Sequence, residues 1–287
     1  MINVMHLKDL YQLGKENMRR SLIENPALET SILLSKTSAI KDISEIYAYP
    51  DKELDNAEVE EFYRLLERRI KNEPIAYITG EKEFYSRTFS VNRDVLIPRP
   101  ETELLVGEAL RTVDKIVKPS VLDAGTGSGC IAVSLACEKP GSSVVASDIS
   151  RGALATARAN AERHSTREEI CLVQGSLTDP FKGETFDVVV SNPPYIAEGE
   201  YALLPPDVRD YEPRSSLVGG EDGLYFIRKI ISGAGRVLKN GGWCMLEIGA
   251  GQSSDVKRLF QEARFSGISS IRDVNDIERV VRAQWKK

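Results

Sequence analysis

From residue 120 onward, short apolar segments rich in β-branched residues alternate with helical segments, and this alternation limits the folds open to the chain. A strand–helix repeat of this kind favours a parallel sheet with helices on both faces and ligands at the carboxyl ends of its strands. We therefore predict an α/β fold for this part of the chain. The predicted strands span 120–123, 143–148, 170–174, 186–191, 243–248, 268–271 and 279–284, and the predicted helices span 130–138, 152–164, 224–238 and 256–263.

The first 80 residues have a helical pattern instead. Asp55 has the position of an N-cap, and Glu58 follows three residues later, as in a capping box. Apolar residues then recur at helical spacing, and the charged run 67–71 is expected to face solvent. The domains predicted from these patterns are a small helical domain over 1–80, a linker or β-hairpin over 81–98 and the α/β domain over 99–287.

Composition narrows the class of partner. The 287 residues include 38 Lys and Arg against 43 Asp and Glu, a net charge of −5, which disfavours a dedicated nucleic-acid binder because such proteins need surplus basic side chains. No apolar run is long enough to cross a bilayer, and the first nine residues lack a leader pattern. We expect a cytoplasmic, monomeric protein without membrane association.

The cysteines and histidines do not suggest a metal site. The four cysteines form no C-x-x-C pair, lie in apolar segments and are expected to be reduced and buried. The two histidines, His6 and His164, are far from each other in the sequence, so no metal site is predicted. The cysteines are Cys130, Cys137, Cys171 and Cys244.

A glycine-rich turn, Asp123-Ala124-Gly125-Thr126-Gly127-Ser128-Gly129, joins a predicted strand to a predicted helix. Its glycines permit a sharp turn and a close approach of ligand to backbone, and the following helix directs free N–H groups towards an anionic group. The G-x-G-x-G spacing differs from the G-x-G-x-x-G of dinucleotide folds. The turn is a candidate ligand-binding loop, with a purely structural strand-to-helix turn as the alternative.

Asp148 ends the next predicted strand. A carboxylate in this position can accept hydrogen bonds from both hydroxyls of a ribose. The alternative is that it caps the helix that begins near Ser150. A glycine-rich turn together with an acidic strand end indicates a nucleoside ligand.

The sequence Asn192-Pro193-Pro194-Tyr195 follows the strand 186–191. An amide or exocyclic amine nitrogen is a poor nucleophile because its lone pair is delocalised. The Asn192 side-chain oxygen and the Pro193 carbonyl can accept its two hydrogens, and the prolines hold these acceptors in place. Tyr195 offers an aromatic wall, and its ordinary pKa of ~10 makes it unsuitable as a base. No His or carboxylate adjoins this turn in sequence, so no dedicated base is expected.

These motifs resemble those of class I S-adenosylmethionine-dependent methyltransferases that modify planar nitrogens. The segment Leu96-Ile97-Pro98-Arg99-Pro100-Glu101-Thr102-Glu103, together with the helical N-terminal region, resembles the peptide chain release factor N5-glutamine methyltransferases. The later segments 207–213 and 278–281 are similar to segments of the same family. The resemblance implies a Rossmann-like, seven-stranded methyltransferase domain preceded by a small all-helical domain.

The resemblance also implies the ligands and the residues that hold them. S-adenosylmethionine would bind at Asp123, Gly125, Thr126, Gly127, Ser128, Gly129, Asp148, Ser176, Leu177 and Asn192, and would leave as S-adenosylhomocysteine. The catalytic residues would be Asn192, Pro193 and Tyr195, and the substrate glutamine would contact Asn192, Pro193, Pro194, Tyr195, Arg99 and Glu101. The partner would be a class 1 release factor, presented through its Gly-Gly-Gln loop, with the helical domain as a second contact surface.

Some assignments keep alternatives. Arg99, Glu101 and Thr102 would close over the cofactor or shape the glutamine pocket, unless they form an inter-domain salt bridge or a helix cap at Thr102. Some family members have an acidic-aromatic pair at Ser176-Leu177, where an apolar contact from Leu177 would replace stacking. For Glu247, at the end of the fifth predicted strand, the alternative to a role in the site is a buried or edge carboxylate that is paired nearby. Three alternative functions are also considered: those of a ribosomal-protein glutamine methyltransferase, a DNA N6-adenine methyltransferase and a non-catalytic nucleoside-binding protein.

Overall fold

The computed structural model describes residues 5–287. In it the chain divides into two compact units. The first unit extends to Gly80 and includes Pro206–Tyr211. The second comprises Glu81–Pro205 and Glu212–Lys287. Residues 1–4 lie outside the described residues. They include the start of the predicted domain 1–80 and the first part of the segment in which no leader pattern was expected.

The first unit is built from helices around one apolar core. Its elements are β1 (Met5–His6), α1 (Leu7–Arg20), α2 (Pro26–Ser35), α3 (Glu45–Ala48), β2 (Glu53–Leu54), α4 (Asn56–Ile70) and α5 (Ile75–Thr79). The two-residue strands β1 and β2 pair antiparallel, an addition to the predicted helical pattern. The capping box is confirmed: Asp55 accepts a hydrogen bond from the Glu58 amide, and the Glu58 carboxylate accepts one from the Asp55 amide.

The charged run 67–71 at the end of α4 does not simply face solvent, as the sequence pattern predicted. Arg69 is buried, forms an ion pair with Glu29 and donates to the Glu73 carbonyl. Arg68 binds the buried Glu73 carboxylate through two hydrogen bonds of 2.8 Å. The prediction is right for Glu67 and Lys71, which are exposed, and wrong for Arg69, because a partner 40 residues away, Glu29, does not appear in the local pattern of charges.

The second unit begins with a hairpin and continues as the predicted alternation. Its elements are β3 (Glu81–Phe84), β4 (Arg87–Ser90), α6 (Thr102–Val113), β5 (Ser120–Ala124), α7 (Cys130–Glu138), β6 (Ser143–Asp148), α8 (Arg151–Arg163), β7 (Ile170–Gln174) and β8 (Phe186–Ser191). The short helix α9 (Pro206–Arg209) groups with the first unit. There follow α10 (Tyr225–Val237), β9 (Leu238–Glu247), α11 (Ser253–Glu262), β10 (Ser266–Arg272) and β11 (Glu278–Gln284).

Seven strands form one sheet in the order β10-β11-β9-β8-β5-β6-β7. The predicted α/β fold is confirmed, with one correction: β11 runs antiparallel to both of its neighbours. The reason is that β10 and β11 are joined directly by a short loop, whereas parallel neighbours need a crossover connection. The remaining ladders among β9, β8, β5, β6 and β7 are parallel.

Apolar side chains cover both faces of the sheet. One cluster packs α6 and α7 on one face, around residues such as Leu105, Ile131 and Val190. The other packs α10 and α11 on the opposite face, around Ile227, Phe260 and Leu246. Because both faces are covered, the free carboxyl ends of the parallel strands form the accessible edge where a ligand can bind.

The expectation of four buried cysteines was only partly right. Cys130 and Cys244 are buried, Cys137 is half-buried and Cys171 is exposed, and all four are free thiols. Cys171 lies on β7, the edge strand of the sheet. Successive side chains of a strand point to opposite faces, so an apolar segment at a sheet edge can still expose one of its side chains. Within residues 5–287, no helix is both long and apolar enough to cross a membrane.

Candidate active site

The glycine-rich turn connects β5 to α7 at the carboxyl edge of the sheet. Gly125, Gly127 and Gly129 all have left-handed backbone angles, with φ of 78°, 55° and 79°. A Cβ atom at Gly125 or Gly127 would meet nothing within 4 Å, whereas one at Gly129 would lie 3.0 Å from Ala157 of α8. The first two glycines therefore border open space, and the third permits close packing between helices.

Asp123 supports this turn from beneath. Its side chain is fully buried; one oxygen accepts from the Thr126 hydroxyl at 2.6 Å and from the Ala132 amide at 3.2 Å. The other oxygen is also buried and has no hydrogen-bond partner among the described residues. Burial raises the pKa of Asp123 to about 7, against the opposing effect of the Thr126 hydrogen bond. Ser128, also buried, has its carbonyl bound by the Asn160 amide.

Asp148 joins the end of β6 to the glycine-rich turn. One carboxylate oxygen accepts from the Gly127 amide at 2.9 Å and the other from the Ser150 amide at 2.9 Å. The helix-cap alternative is wrong: the Ser150 side chain caps α8, accepting from the Ala153 amide. Asp148 is half-buried, and each oxygen retains a lone pair for a further donor.

Ser176 and Leu177 follow β7, at the same edge as Asp148. The Ser147 hydroxyl donates to the Leu177 carbonyl at 2.9 Å, and Leu177 packs against the apolar cluster around Phe260. Leu177 has a φ of 50°, which is uncommon for a residue other than glycine. Both side chains are half-buried, and the pair presents an apolar rather than an acidic side chain.

The Asn192–Tyr195 turn closes β8, which pairs in parallel with β5. The Ser191 hydroxyl donates to the Ala124 carbonyl at 2.5 Å and so links this turn directly to the glycine-rich one. Pro193 is buried, and Asn192, Pro194 and Tyr195 are half-buried. The two predicted motifs therefore lie side by side at one edge of the sheet.

A second glycine-rich segment, 219–223, holds the Asn192–Tyr195 turn in place. A Cβ atom at Gly219 would lie 2.5 Å from the Pro194 carbonyl oxygen, and one at Gly223 would lie 2.3 Å from the Tyr195 carbonyl oxygen. Gln252 donates to the Tyr195 carbonyl at 2.9 Å. These residues were not predicted from the sequence, in which the local signal is a cluster of three glycines, Gly219, Gly220 and Gly223.

Thr102 and Glu247 connect to the same turn from distant parts of the chain. The Asn192 amide nitrogen donates to the Thr102 hydroxyl at 3.0 Å, and that hydroxyl donates to a Glu247 oxygen at 2.6 Å. The Tyr195 hydroxyl is 3.5 Å from the other Glu247 oxygen. A carboxylate does therefore adjoin the turn, contrary to the expectation from sequence neighbours. The helix-cap alternative for Thr102 is also wrong, because its hydroxyl bonds Glu247 and Asn192 instead.

Burial dominates the electrostatics of this group. It raises the pKa of Glu247 to about 7, with Glu101 acting in the same direction and the Thr102 hydrogen bond opposing it. Burial, followed by the charge of Glu247, also raises the pKa of Tyr195 above its ordinary value. Tyr195 therefore stays a neutral hydroxyl.

Arg99 forms an ion pair with Glu212, a buried side chain that also accepts from the Ile97 amide at 3.1 Å. Both residues belong to the second unit, so this pair is not the inter-domain salt bridge that the sequence left open. Glu101 is half-buried, and its charge acts on Glu247, Tyr195 and Arg279. These contacts fix the segment that leads into α6.

The arrangement fits a cationic nucleoside ligand with an amino-acid tail. Two glycines border open space, the buried Asp123 has an unpartnered oxygen beneath them, and Asp148 offers lone pairs at the neighbouring strand end. Within the described part of the chain, no three His, Cys, Asp or Glu side chains gather as a metal site would require. The site can hold a nucleoside beside a planar carboxamide.

Comparison with known proteins shows the family to which both parts of the chain are similar. The chain matches the model of the PrmC N-terminal domain over residues 9–80 and that of the methyltransferase small domain over 101–204. A release factor glutamine methyltransferase of Geobacter sulfurreducens is 44% identical over 259 residues, covering 90% of this chain and 89% of that protein. One from Nitratidesulfovibrio vulgaris is 39% identical over 281 residues, covering 97% and 95%. A solved methyltransferase of Pyrococcus furiosus, 20% identical, has a similar fold, with a TM-score of 0.53 over 77% of this chain and 98% of that chain.

Proposed function

The chain belongs to the release factor glutamine methyltransferase family, as its motifs predict, and on this premise we propose the reaction that it performs. It transfers a methyl group from S-adenosylmethionine to the side-chain amide nitrogen, N5, of a glutamine. That glutamine belongs to the Gly-Gly-Gln loop of a class 1 peptide chain release factor. Because release factors act in translation, the reaction is a cytoplasmic one.

One observation carries the proposal: the Ser191 hydroxyl bonds the Ala124 carbonyl at 2.5 Å. This contact joins the turn suited to a carboxamide to the turn suited to a nucleoside. Two reactants held at these turns would meet at one edge of the sheet, with their reacting groups oriented before the chemical step.

Different residues of the proposed cofactor site would hold different parts of S-adenosylmethionine. Asp123, Gly125, Thr126, Gly127, Ser128 and Gly129 would hold the methionine part, Asp148 the ribose, and Ser176 and Leu177 the adenine, with Asn192 completing the site. The unpartnered oxygen of Asp123 suits a cationic amine, and the side chain of Leu177 suits an apolar ring face. When bound, S-adenosylmethionine supplies an electrophilic methyl group on a sulfonium.

The chain's own residues make the amide nitrogen reactive by position. The Asn192 side-chain oxygen and the Pro193 carbonyl accept its two hydrogens and disfavour the planar, resonance-stabilised state. Pro194 stiffens the turn, and Tyr195 gives the carboxamide an aromatic wall. Glu247 is engaged by the hydroxyls of Thr102 and Tyr195, so the proton released after transfer passes to water in this proposal.

The Arg99–Glu101 segment shapes the glutamine pocket indirectly. Arg99 and Glu212 pair beside it, and Glu101 adds negative charge near Glu247 and Tyr195. We include both residues in the substrate-binding set because their segment leads directly into Thr102, which bonds Asn192.

Methyl transfer from a labelled cofactor tests the proposal against its alternatives. The protein is incubated with S-adenosylmethionine carrying a labelled methyl group and, separately, with a class 1 release factor, ribosomal proteins or duplex DNA. We expect label in the release factor alone, with mass spectrometry locating one added methyl group on the glutamine of the Gly-Gly-Gln loop and S-adenosylhomocysteine as the second product. Label in ribosomal protein or DNA alone, or no turnover with any acceptor, contradicts the proposal.

A further inference from the structure

We propose that Thr102 is a positioning residue that transmits the ionisation state of Glu247 to the orientation of the Asn192 amide. The inference rests on the proposed methyl transfer, because it concerns which atom of Asn192 faces the substrate carboxamide. Thr102 and Glu247 are 145 residues apart in sequence and both are buried, at 1% exposure each. The three side chains form a single chain of hydrogen bonds from the sheet edge into the interior.

The orientation follows from counting hydrogens. A threonine hydroxyl has one hydrogen to donate, and an ionised carboxylate can only accept. With Glu247 ionised, the Thr102 hydrogen goes to Glu247, so the Thr102 oxygen can only accept from Asn192. The Asn192 nitrogen must then face Thr102, as observed at 3.0 Å, and its oxygen must face away from it. That oxygen is the acceptor that the reaction requires.

Protonation of Glu247 removes this constraint. A protonated carboxyl can donate to the Thr102 oxygen, which frees the threonine hydrogen to point towards Asn192. Either face of the Asn192 amide then satisfies Thr102. In the flipped orientation, Asn192 presents N–H donors to the substrate amide, whose own nitrogen also carries donors, and the complex is unproductive.

The surroundings of Glu247 set the pH at which this change occurs. Four ionisable side chains face it: Glu101 just before α6, Arg279 of β11, Tyr195 of the turn after β8, and Cys130 of α7. Arg279 is itself paired with Asp273 at 2.9 Å, which leaves it a weak counter-charge. Burial therefore prevails, and the pKa of Glu247 is raised to about 7. Ionised Glu247 predominates above that pH and protonated Glu247 below it.

Three variants separate positioning from structure. Thr102→Val removes the hydroxyl at nearly constant shape, Thr102→Ser keeps it, and Thr112→Val makes the same change at the other end of α6. We expect Thr102→Val to lower kcat by about 10- to 100-fold, the effect of a misoriented reacting group, with an unchanged Kd for S-adenosylmethionine. Thr102→Ser should recover most of the lost rate, and Thr112→Val should match the wild type.

The pH profile supplies a readout that a structural role would not change. At saturating cofactor and release factor, wild-type kcat should fall about tenfold from pH 8 to pH 6, as expected for one essential ionised group of pKa near 7. Glu247→Gln cannot ionise, so its kcat should be lower at pH 8 and nearly constant across the range. Asp179→Asn, which makes the same change at an exposed position with no part in the proposed site, should keep the wild-type fall in kcat.

The outcomes distinguish this inference from the proposed function. If the wild type does not methylate the release factor, the proposed function is wrong and this inference fails with it. If the wild type is active but Thr102→Val retains its kcat, or Glu247→Gln keeps the acidic fall in kcat, only the positioning role is overturned. If Thr102→Val fails to fold, the comparison of Glu247→Gln with wild type across pH still decides the question.

Discussion

At the scale of single residues, Asn192 bears the most chemistry in the proposed site. Replacing it with alanine removes one of two acceptors for the substrate amide and leaves Pro193 and the glycine-rich turn in place. We expect Asn192→Ala to lower kcat by roughly two to three orders of magnitude, the usual effect of losing one oriented polar group at a transition state. Steady-state kinetics at saturating release factor measure this, and calorimetric titration with S-adenosylmethionine checks that the cofactor still binds. Near-normal turnover with bound cofactor would remove Asn192 from its catalytic role.

The buried carboxyl of Asp123 has a consequence for stability. Its folded-state pKa is about 7 against an ordinary value of 3.8, so between these values the folded state holds a proton that the unfolded state has released. Stability therefore decreases as pH rises through this window, by at most about 1.4 kcal/mol per pH unit for one group. Asp123→Asn cannot ionise, so its unfolding free energy relative to wild type should increase from pH 5 to pH 7.

Chemical denaturation at pH 5, 6 and 7 measures this difference. Asp179→Asn, at an exposed position, is the matched control and should track the wild type at each pH. A constant difference between Asp123→Asn and wild type across the three pH values would mean that Asp123 is already ionised in the folded protein at pH 5.

At this scale, the sequence predicts the position of a residue when a recognisable strand lies next to it, but not a contact between residues far apart in the chain. The placement of Asn192 and Asp148 at one edge of the sheet could be predicted, because Asp148 ends one recognisable strand, Asn192 follows another, and the carboxyl ends of parallel strands meet at one edge. The hydrogen bond between Thr102 and Glu247 was not predicted, because the two residues are 145 positions apart in the sequence and no local pattern encodes their contact. The absence of a carboxylate beside Asn192 in sequence was a poor guide to its absence in space.

At the scale of elements, the strands were predicted closely because buried parallel strands appear in sequence as continuous apolar runs. β6, β7 and β8 begin and end at the predicted residues. β9 begins at Leu238, earlier than predicted, because Leu238 already pairs with Phe186 of β8. The polar stretch 239–242 then interrupts the register, and pairing resumes at Trp243. The direction of β11 could not be predicted from its composition, since strand direction depends on the length of the connection before it.

The segment 219–223 provides an element-scale prediction. Gly219→Ala would place a methyl group 2.5 Å from the carbonyl oxygens of Pro194 and Gly223, both of which are backbone atoms that cannot rotate away. We expect a loss of about 1–3 kcal/mol of stability from this overpacking, with a lower kcat because the Asn192–Tyr195 turn must shift. Gly199→Ala meets nothing within 4 Å and serves as the control.

Thermal unfolding and kcat are measured on both glycine variants. A Gly219→Ala protein with the melting temperature and kcat of Gly199→Ala would show that this segment does not constrain the turn. A lower melting temperature with unchanged kcat would show that packing and catalysis are separable here.

At the scale of the whole molecule, the charge balance and the two units point to recognition by shape. The net charge of −5 disfavours a dedicated nucleic-acid binder, and a tripeptide loop alone offers little contact area. The first unit has exposed aromatic side chains, Tyr47, Tyr49 and Tyr63, at 70%, 62% and 41% exposure. Exposed tyrosines are common in protein interfaces, where they combine apolar area with a polar tip. Such side chains suit a second contact with the release factor.

Tyr49 offers the sharpest test of that contact. If the first unit binds the body of the release factor, Tyr49→Ser should raise KM for the whole protein by about 10-fold, the order expected for truncating one aromatic contact worth more than 1 kcal/mol. The same variant should leave KM unchanged for a short peptide containing only the Gly-Gly-Gln loop, because the peptide cannot reach a second surface. Val274→Ser, at a fully exposed position of the second unit, is the matched control for loss of an exposed apolar side chain. An equal rise in KM for protein and peptide would place the effect of Tyr49 at the site itself, and no rise for either would exclude Tyr49 from recognition.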